Sequence, residues 1–350
     1  CTATQPALAK GAPLDFGLPS IPPIVAEPAR LHRAMRRVRV EYAGPLDDEA
    51  LADRLTDAPQ ALCVVDTRMH AADLFRLLVA RGVEGVRHLS AAMCAEHRTA
   101  VLDAIRADLK DGRPCRVVST QLVEAGVDVS FPLVLRAMAG LDSVAQSAGR
   151  CNRHGEMEGD LGTVVVFDTD RALRLADLNR RRDTAREVMA GRDWDEALNP
   201  DVLEAYFKAL YATGRRLRRV DGGDPFDACG AWAAFDKASV KSLPFRAVAE
   251  RFRLIDDDQL PVITPYTDEA RGLAAALRTS ERPAGLARKL QRHTVSLPRS
   301  RVARLLVAEM VKMVGVERQF LLLVDGSAYD DDLGLMARDP RERGEEENIV

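Results

Sequence analysis

A chain of 350 residues is too long for one small module and suits two domains, or one large domain with an appendage. Hydrophobic residues at 47% and charged residues at 29% give a globular profile, and aromatics at 5% leave the core to Leu, Val and Ala. A net charge of −3 argues against a wholesale nucleic-acid wrapper, though not against a local basic track. No apolar run approaches the roughly 20 residues that cross a bilayer, so no membrane partner is expected. The opening Cys1-Thr2-Ala3-Thr4 lacks a charged region followed by an apolar one and does not read as a signal peptide. Cys1, Cys63, Cys94, Cys115, Cys151 and Cys229 form no Cys-x-x-Cys pair, which predicts reduced thiols and a cytoplasmic location. The histidines show no zinc spacing, and no metal site is expected within the chain.

In chain order, the first thirty residues carry Pro6, Pro13, Pro19, Pro22 and Pro23 and read as an extended connector. Val38, Val40 and Tyr42 alternate as in a strand, and a helical pattern runs from Asp47 to Leu55. Ala61 to Val65 is a compact apolar run, and Met69 to Ala80 has helical spacing before Gly82. Val86 to Leu89 is strand-like, Glu96 to Leu109 helical, and Arg116 to Ser119 strand-like. Leu133 to Leu135 is another short run, Asp142 to Arg150 a helix, and Thr163 to Phe167 a strand. Short apolar strands alternating with helices predict an α/β fold, a parallel sheet covered on both faces.

Beyond Asp168 the chain is helix-rich and arginine-dense from Arg171 to Arg219, and Asp221-Gly222-Gly223-Asp224-Pro225 reads as a boundary. A strand at Val262–Ile263, a helix over Asp268–Thr279, a helix opened by Pro283 and a strand near Gln319–Val324 follow. The charged stretch Asp339 to Glu347 predicts a frayed tail.

Two polar segments carry chemistry. Ser119-Thr120-Gln121-Leu122-Val123-Glu124-Ala125-Gly126-Val127-Asp128 follows a predicted strand, where such sheets gather ligands. Gln146, Gly149, Arg150 and Arg153 lie on a predicted helix, which places Gln146, Arg150 and Arg153 on neighbouring turns of one face. Such a row of donors suits a phosphate chain, because guanidinium groups grip phosphoryl oxygens bidentately. Taken alone, the arginine pair reads better as a solvated helix face. Beside the Thr-x-x-x-Glu-x-Gly-x-Asp run, the phosphate reading prevails. His88 and His97 read as packing or capping residues, Met93 and Cys94 as buried filler. At least half of the arginines at 30–39, 180–182 and 215–219 read as solvated, and the others as able to neutralise phosphates.

These segments resemble motifs V and VI of the second RecA-like domain of a large helicase superfamily. The wording, with Leu141-Asp142-Ser143-Val144-Ala145-Gln146-Ser147-Ala148-Gly149-Arg150-Cys151-Asn152-Arg153, is closer still to the CRISPR-associated helicase-nuclease of type I systems. Cys1-Thr2-Ala3-Thr4-Gln5-Pro6 resembles motif III, Val64-Val65-Asp66-Thr67 motif IV, and His88 to Cys94 with His97-Arg98 the next family segment. Leu290 to Ser296, Tyr329 and Leu333-Gly334-Leu335 resemble the family's C-terminal accessory domain.

The resemblance implies a RecA-like, P-loop NTPase-type sheet with a helical linker and a small α/β accessory domain. It divides the chain into the end of a first RecA-like domain with its connector (1–29), the second RecA-like domain (30–170), the linker (171–225) and the accessory domain (226–350). It implies ATP with Mg2+ in a site shared with a missing first domain, and 3′-to-5′ movement on single-stranded DNA. Foreign DNA would be degraded by an HD nuclease, and recruitment would be by an RNA-guided surveillance complex. Arg150 and Arg153 would be arginine fingers, with Gln146 positioning the γ-phosphate. Gly126, Asp128 and Gly149 would lie near the nucleotide, Asp66, Thr67, Ser90 and Thr120 would face the DNA strand, and Thr2 and Thr4 would couple hydrolysis to movement.

The sequence holds no Gly-x-x-x-x-Gly-Lys-Ser/Thr, and Asp268-Glu269-Ala270-Arg271 reads as an acidic helix start rather than a metal box. The chain is therefore expected to be the C-terminal portion of such an enzyme, inactive towards ATP by itself. Two alternatives stand beside it: a DNA or RNA helicase of another branch, and a non-catalytic module that binds nucleic acid or a partner.

Overall fold

A computed structural model describes residues 4, 6–11, 17–22, 24–157, 160–171, 175–220, 243–251 and 259–336. Thr2, the boundary at 221–225 and the charged tail from 339 lie outside the described residues. After a short helix α1 (Pro28–Ala34) the chain alternates strands and helices: β1 (Val38–Pro45), α2 (Asp48–Asp57), β2 (Gln60–Val64), α3 (Arg68–Ala80), β3 (Val86–Leu89), α4 (Ala95–Lys110) and β4 (Cys115–Ser119). Then come β5 (Leu133–Ala137), α5 (Leu141–Ala148) and β6 (Gly162–Asp168).

All six strands run parallel in the order β1-β6-β5-β2-β4-β3. Burial on both faces explains the unbroken apolar wording of the central strands. On β2, Leu62 and Val64 pack with Val117, Val134, Val144 and Val164 on one face, while Ala61 and Cys63 pack with Leu51, Leu55, Leu74 and Leu78 of α2 and α3 on the other. Local chemistry starts the helices where the sequence expects them. Asp47 accepts from Ala50 N at 2.8 Å to open α2, and Thr67 accepts from His70 N at 3.2 Å to open α3.

Beyond the sheet, α6 (Ala176–Met189) and the long α7 (Pro200–Val220) pack on the same face as α5, closing over Val144 and Ala148 with Ala185, Tyr206 and Leu210. Many of the linker arginines are spent on ion pairs: Arg181 with Asp142 at 3.0 Å and with Asp177 at 2.8 Å, and Arg186 with Asp168. After α8 (Phe245–Arg251) a second sheet forms from β7 (Gln259–Ile263), β8 (Thr294–Pro298), β9 (Val311–Val314) and β10 (Phe320–Leu323), in the order β8-β7-β10-β9. It is flanked by α9 (Asp268–Leu277), α10 (Ala284–Leu290) and α11 (Arg299–Val307). Thr267 caps α9 ahead of Asp268 and Glu269, so this acidic pair sits in a helix first turn.

The hairpin of β11 (Tyr329–Asp330) and β12 (Gly334–Leu335) joins the two sheets' domains. Leu335 N donates to Ala92 O at 2.8 Å, and Leu333 and Met336 pack with Ala72, Phe75 and Ala92. Tyr329 Oη accepts from Cys94 N at 3.0 Å and lies 3.0 Å from His97 Nδ1, while the His97 ring stacks on Tyr266 at 4.4 Å between centroids. Burial lowers the proton affinity of the His97 imidazole below its ordinary value, which favours the neutral ring.

Candidate functional site

The carboxyl ends of β2, β4 and β5 lie beside one another, and the chain changes direction there, with β4 and β5 on opposite sides of β2. Parallel sheets place ligands at such a switch point. Three polar segments converge on it: 64–68 after β2, 119–128 after β4, and 140–153 through α5.

Two features of this edge come from backbone geometry. Gly126 adopts φ +73°, a conformation that favours glycine, in the turn between the 3-10 segment Gln121–Glu124 and Asp128. Gly140, at the N-cap of α5, leaves the space in which Tyr206 Oη donates to Asp142 Oδ1 at 2.7 Å; a Cβ there would come within 2.3 Å of that phenol oxygen.

The predicted row of Gln146, Arg150 and Arg153 on one helical face does not form. Helix α5 ends at Ala148, with Gly149 as its C-cap, because Cys151 bridges to Phe131 in the strand direction and Asn152 turns the backbone into the left-handed region at φ 42°. Arg150 consequently points inward, where Nε donates to Val123 O at 2.8 Å and the guanidinium also reaches Glu124 O. It braces the turn after Gln121–Glu124 and is buried. Arg153 alone of the two reaches outward. Its backbone N donates to Ser130 Oγ at 2.9 Å, and its Nε lies 2.8 Å from Asp128 Oδ1. Asp128 and Arg153 thus join the two polar segments directly, one residue past the Gly126-Val127 turn.

Gln146 lies apart from these, on the wall of a pocket of about 280 Å³ shared with Glu124, Ser143 and Phe207. Thr4 and Pro6 close the same pocket, so the segment resembling motif III is laid against those resembling motifs V and VI. Asp66, Thr67, Ser90 and Thr120 are all buried, not solvent-facing. The Thr67 hydroxyl is occupied in capping α3, and Ser90 Oγ accepts from Ala92 N at 3.2 Å and pairs with His88 Nε2 at 3.0 Å. Cover by the β11–β12 hairpin at Ala92 explains part of this burial.

Asp66 belongs to a network that the spacing of motifs does not reveal. Arg136, 1% exposed on β5, donates through Nη1 to Asp66 Oδ1 at 2.9 Å and through Nη2 to Ser143 Oγ at 2.9 Å, and its Nε lies 3.0 Å from Glu124 Oε1. Ser143 and Ser147 donate to the Glu124 carboxylate at 2.7 and 3.0 Å, and Gln121 Nε2 to Asp66 Oδ1 at 2.9 Å. Burial pushes the Glu124 carboxyl up, against the opposing charge of Arg136 and the two serine hydroxyls. The available signal was one arginine inside the apolar run Leu133-Val134-Leu135-Arg136-Ala137. Among the described residues no cluster of His, Cys, Asp or Glu suits a metal ion. His88, His97, Met93 and Cys94 are buried, in line with a packing role.

Comparison with known proteins reaches the same segments. Residues 57–156 match the family model described as CRISPR-associated nuclease/helicase Cas3, C-terminal. The CRISPR-associated nuclease/helicase Cas3 of Haloferax volcanii is 52% identical over 54 residues, which are 15% of this chain and 6% of that protein. The crystal structure of T. fusca Cas3-AMPPNP aligns at TM-score 0.55 and 16% identity, over 86% of this chain and 42% of that one. A CRISPR RNA-guided surveillance complex, pre-nicking, aligns at TM-score 0.52 and 16% identity, over 94% of this chain and 46% of that one. These structural likenesses concern the fold alone, a RecA-like parallel sheet with helices on both faces, and the chain spans less than half the length of either solved chain. The segments 119–128 and 141–153 and the strands β2 to β5 lie inside the residues that match the Cas3 C-terminal model, while β1 and β6 flank them.

Proposed function

We propose that the chain forms the second half of an ATP-driven motor that moves 3′ to 5′ along single-stranded DNA during type I CRISPR interference, in the cytoplasm. The observation that carries this reading is the Asp128–Arg153 ion pair at 2.8 Å, which holds the outward-reaching arginine of motif VI against the turn of motif V at the carboxyl edge of the sheet. An arginine at that place, partly exposed and held by the Asp128 carboxylate and by the Gly149 carbonyl at 3.3 Å, can exchange Asp128 for phosphoryl oxygens that carry more charge.

ATP with Mg2+ fits as one wall of a shared site. Arg153 offers the cation, Gln146 an amide on the pocket wall, and Gly126, Asp128 and Gly149 the surrounding turns, while the sequence contains no phosphate-cradling loop. When bound, the nucleotide supplies the free energy of its hydrolysis. This chain's part would be to orient and stabilise charge: Arg153 would meet the transferring phosphoryl group, Gln146 would offer its amide from the neighbouring pocket wall, and Arg150 fixes the carbonyls of Val123 and Glu124 that shape the turn. T. fusca Cas3 solved with AMPPNP supports a nucleotide in the parent enzyme.

The strand-end segments holding Asp66, Thr67, Ser90 and Thr120 form the proposed nucleic-acid side, contacting sugar and phosphate through backbone N–H groups and small hydroxyls once the β11–β12 hairpin moves off. Thr4, with Thr2 upstream, is proposed to couple the pocket to the first domain. Residues 1–29, 30–170, 171–225 and 226–350 are proposed as the corresponding units. A surveillance complex as partner, and an HD nuclease and first RecA-like domain as the remainder of the enzyme, follow from the Cas3 likeness.

Arg153→Ala in a complete enzyme tests the reading. ATP turnover is expected to fall by about 10³-fold or more with single-strand binding within a few-fold of the parent. Turnover within a few-fold of the parent would remove Arg153 from the site.

A further inference from the structure

The geometry points to Arg136 as a positioning residue of this motor, a buried hub that holds the strand-gripping segment after β2 in register with the helix that carries Gln146. The inference deepens the helicase reading and rests on it. Arg136 belongs to none of the motif-like segments. It stands on β5 in register with Val64 of β2, the last residue before the segment holding Asp66 and Thr67. From there one guanidinium reaches three separate pieces of chain. Nη1 donates to Asp66 at 2.9 Å and Nη2 to Ser143 of α5 at 2.9 Å, while Nε lies 3.0 Å from the Glu124 carboxylate as an ion pair without hydrogen-bond alignment. Ser143 passes the connection on to Glu124 at 2.7 Å, and Ser147, one turn along α5, reaches the same carboxylate at 3.0 Å.

Cohesion is a weak reason for this arrangement. One cation and two carboxylates are enclosed together, and an enclosed ionic set of this kind is often no more stabilising than apolar side chains of the same volume. Two neighbouring strands and a helix over an apolar core could be held by valines and leucines, as much of this sheet is. What the ionic set provides is direction, since the planar guanidinium donates from its two terminal nitrogens to Asp66 and Ser143, and Ser143 in turn donates to Glu124, which fixes the placement of the three segments. Glu124, Ser143 and Gln146 also line the pocket closed by Thr4, so a shift of α5 on that side is passed through Ser143 and Arg136 to Asp66. Lysine, a point charge without the fork, can serve one of the carboxylates but not both together with the serine.

The test uses the complete enzyme with poly(dT) as the strand. Turnover of ATP is measured with and without poly(dT), and binding of poly(dT) is measured without nucleotide, for the parent, Arg136→Lys and Ser143→Ala. Thermal unfolding establishes which variants fold. The expected result is that stimulation by poly(dT) falls about tenfold in Arg136→Lys and several-fold in Ser143→Ala, while strand affinity stays within about threefold. If Arg136→Lys does not fold, Ser143→Ala decides alone, because it removes one hydroxyl and leaves both carboxylates paired. A folded variant whose stimulation stays within about twofold of the parent overturns the positioning role. Equal losses of stimulation and strand affinity overturn it as well, since they mark a general weakening. A parent enzyme with no poly(dT)-stimulated turnover overturns the helicase reading itself, and this inference with it.

Discussion

His88 shows how much a single side chain depends on its surroundings. Burial pushes its imidazole down to about 3, and the charges of Arg76 and His97 act in the same direction, so the folded protein holds it neutral. The unfolded chain takes up a proton near the ordinary value of 6.5, as a solvated imidazole does. Stability from His88 is therefore fully present above pH 6.5 and is lost as pH falls from there towards 3, at about 1.4 kcal/mol per pH unit for one proton. Burial also lowers His97, so its contribution has the same sign. Denaturant unfolding at pH 7 and pH 5 should show this loss, and His88→Gln should reduce its slope by one proton's worth. An unchanged slope would mean that His88 is not the group that titrates. The sequence supported a packing role for both histidines, because neither stands in a catalytic or metal spacing; the size of the effect comes from the enclosure, which no spacing reports.

Helix α5 makes the corresponding point for elements. Its start was legible to within one residue, since the sequence reading begins the helix at Asp142 and the structure begins it at Leu141. Its end was not, because nothing local forbids Gly149 and Arg150 from continuing a helix. Partners distant in sequence stop it. Asn152 Nδ2 donates to Arg37 O at 3.1 Å and to Asp160 O at 3.3 Å, while Oδ1 accepts from Met157 N at 3.3 Å. That fully engaged amide holds φ at 42°, a region that asparagine tolerates better than other non-glycine residues. Asn152→Ala should lose both the hydrogen bonds and the tolerated backbone, about 2–4 kcal/mol in all, whereas Asn152→Gly should lose only the bonds and unfold at a higher temperature than the alanine variant. The reverse order would show that the backbone is not under strain there. Arg150 and Arg153, three residues apart, are sent to opposite environments by this turn, one to brace carbonyls and the other to the site's edge.

At the scale of the whole molecule, the two sheets are joined through the β11–β12 hairpin, and Gly334 is its closest approach. Its φ is +80°, and a Cβ there would lie 2.4 Å from Ala92 O. Gly334→Val should therefore detach the hairpin from Ala92 and uncover Ser90 without unfolding the six-stranded sheet. Limited proteolysis should then cut near residue 330 faster by about tenfold or more, with the unfolding of the parallel sheet little changed. Cutting at the parent's rate would mean that the hairpin is held by Tyr329 and His97 alone.

The alternation of short apolar runs with helical spacing was enough to determine an α/β sheet buried on both faces, since each strand must be apolar on both sides and each helix on one. The wording of 119–128 and 141–153 pointed to the family whose model matches residues 57–156. The tertiary structure alone decided that Arg136 is buried between Asp66 and Glu124, that Arg150 turns inward, and that Asp66, Thr67, Ser90 and Thr120 lie covered. The physical reason is the same in each case. Strand and helix periodicity is written by neighbours along the chain, whereas the direction and solvation of a charged side chain are set by partners scores of residues away, as Arg136 is set by Asp66 across 70 residues.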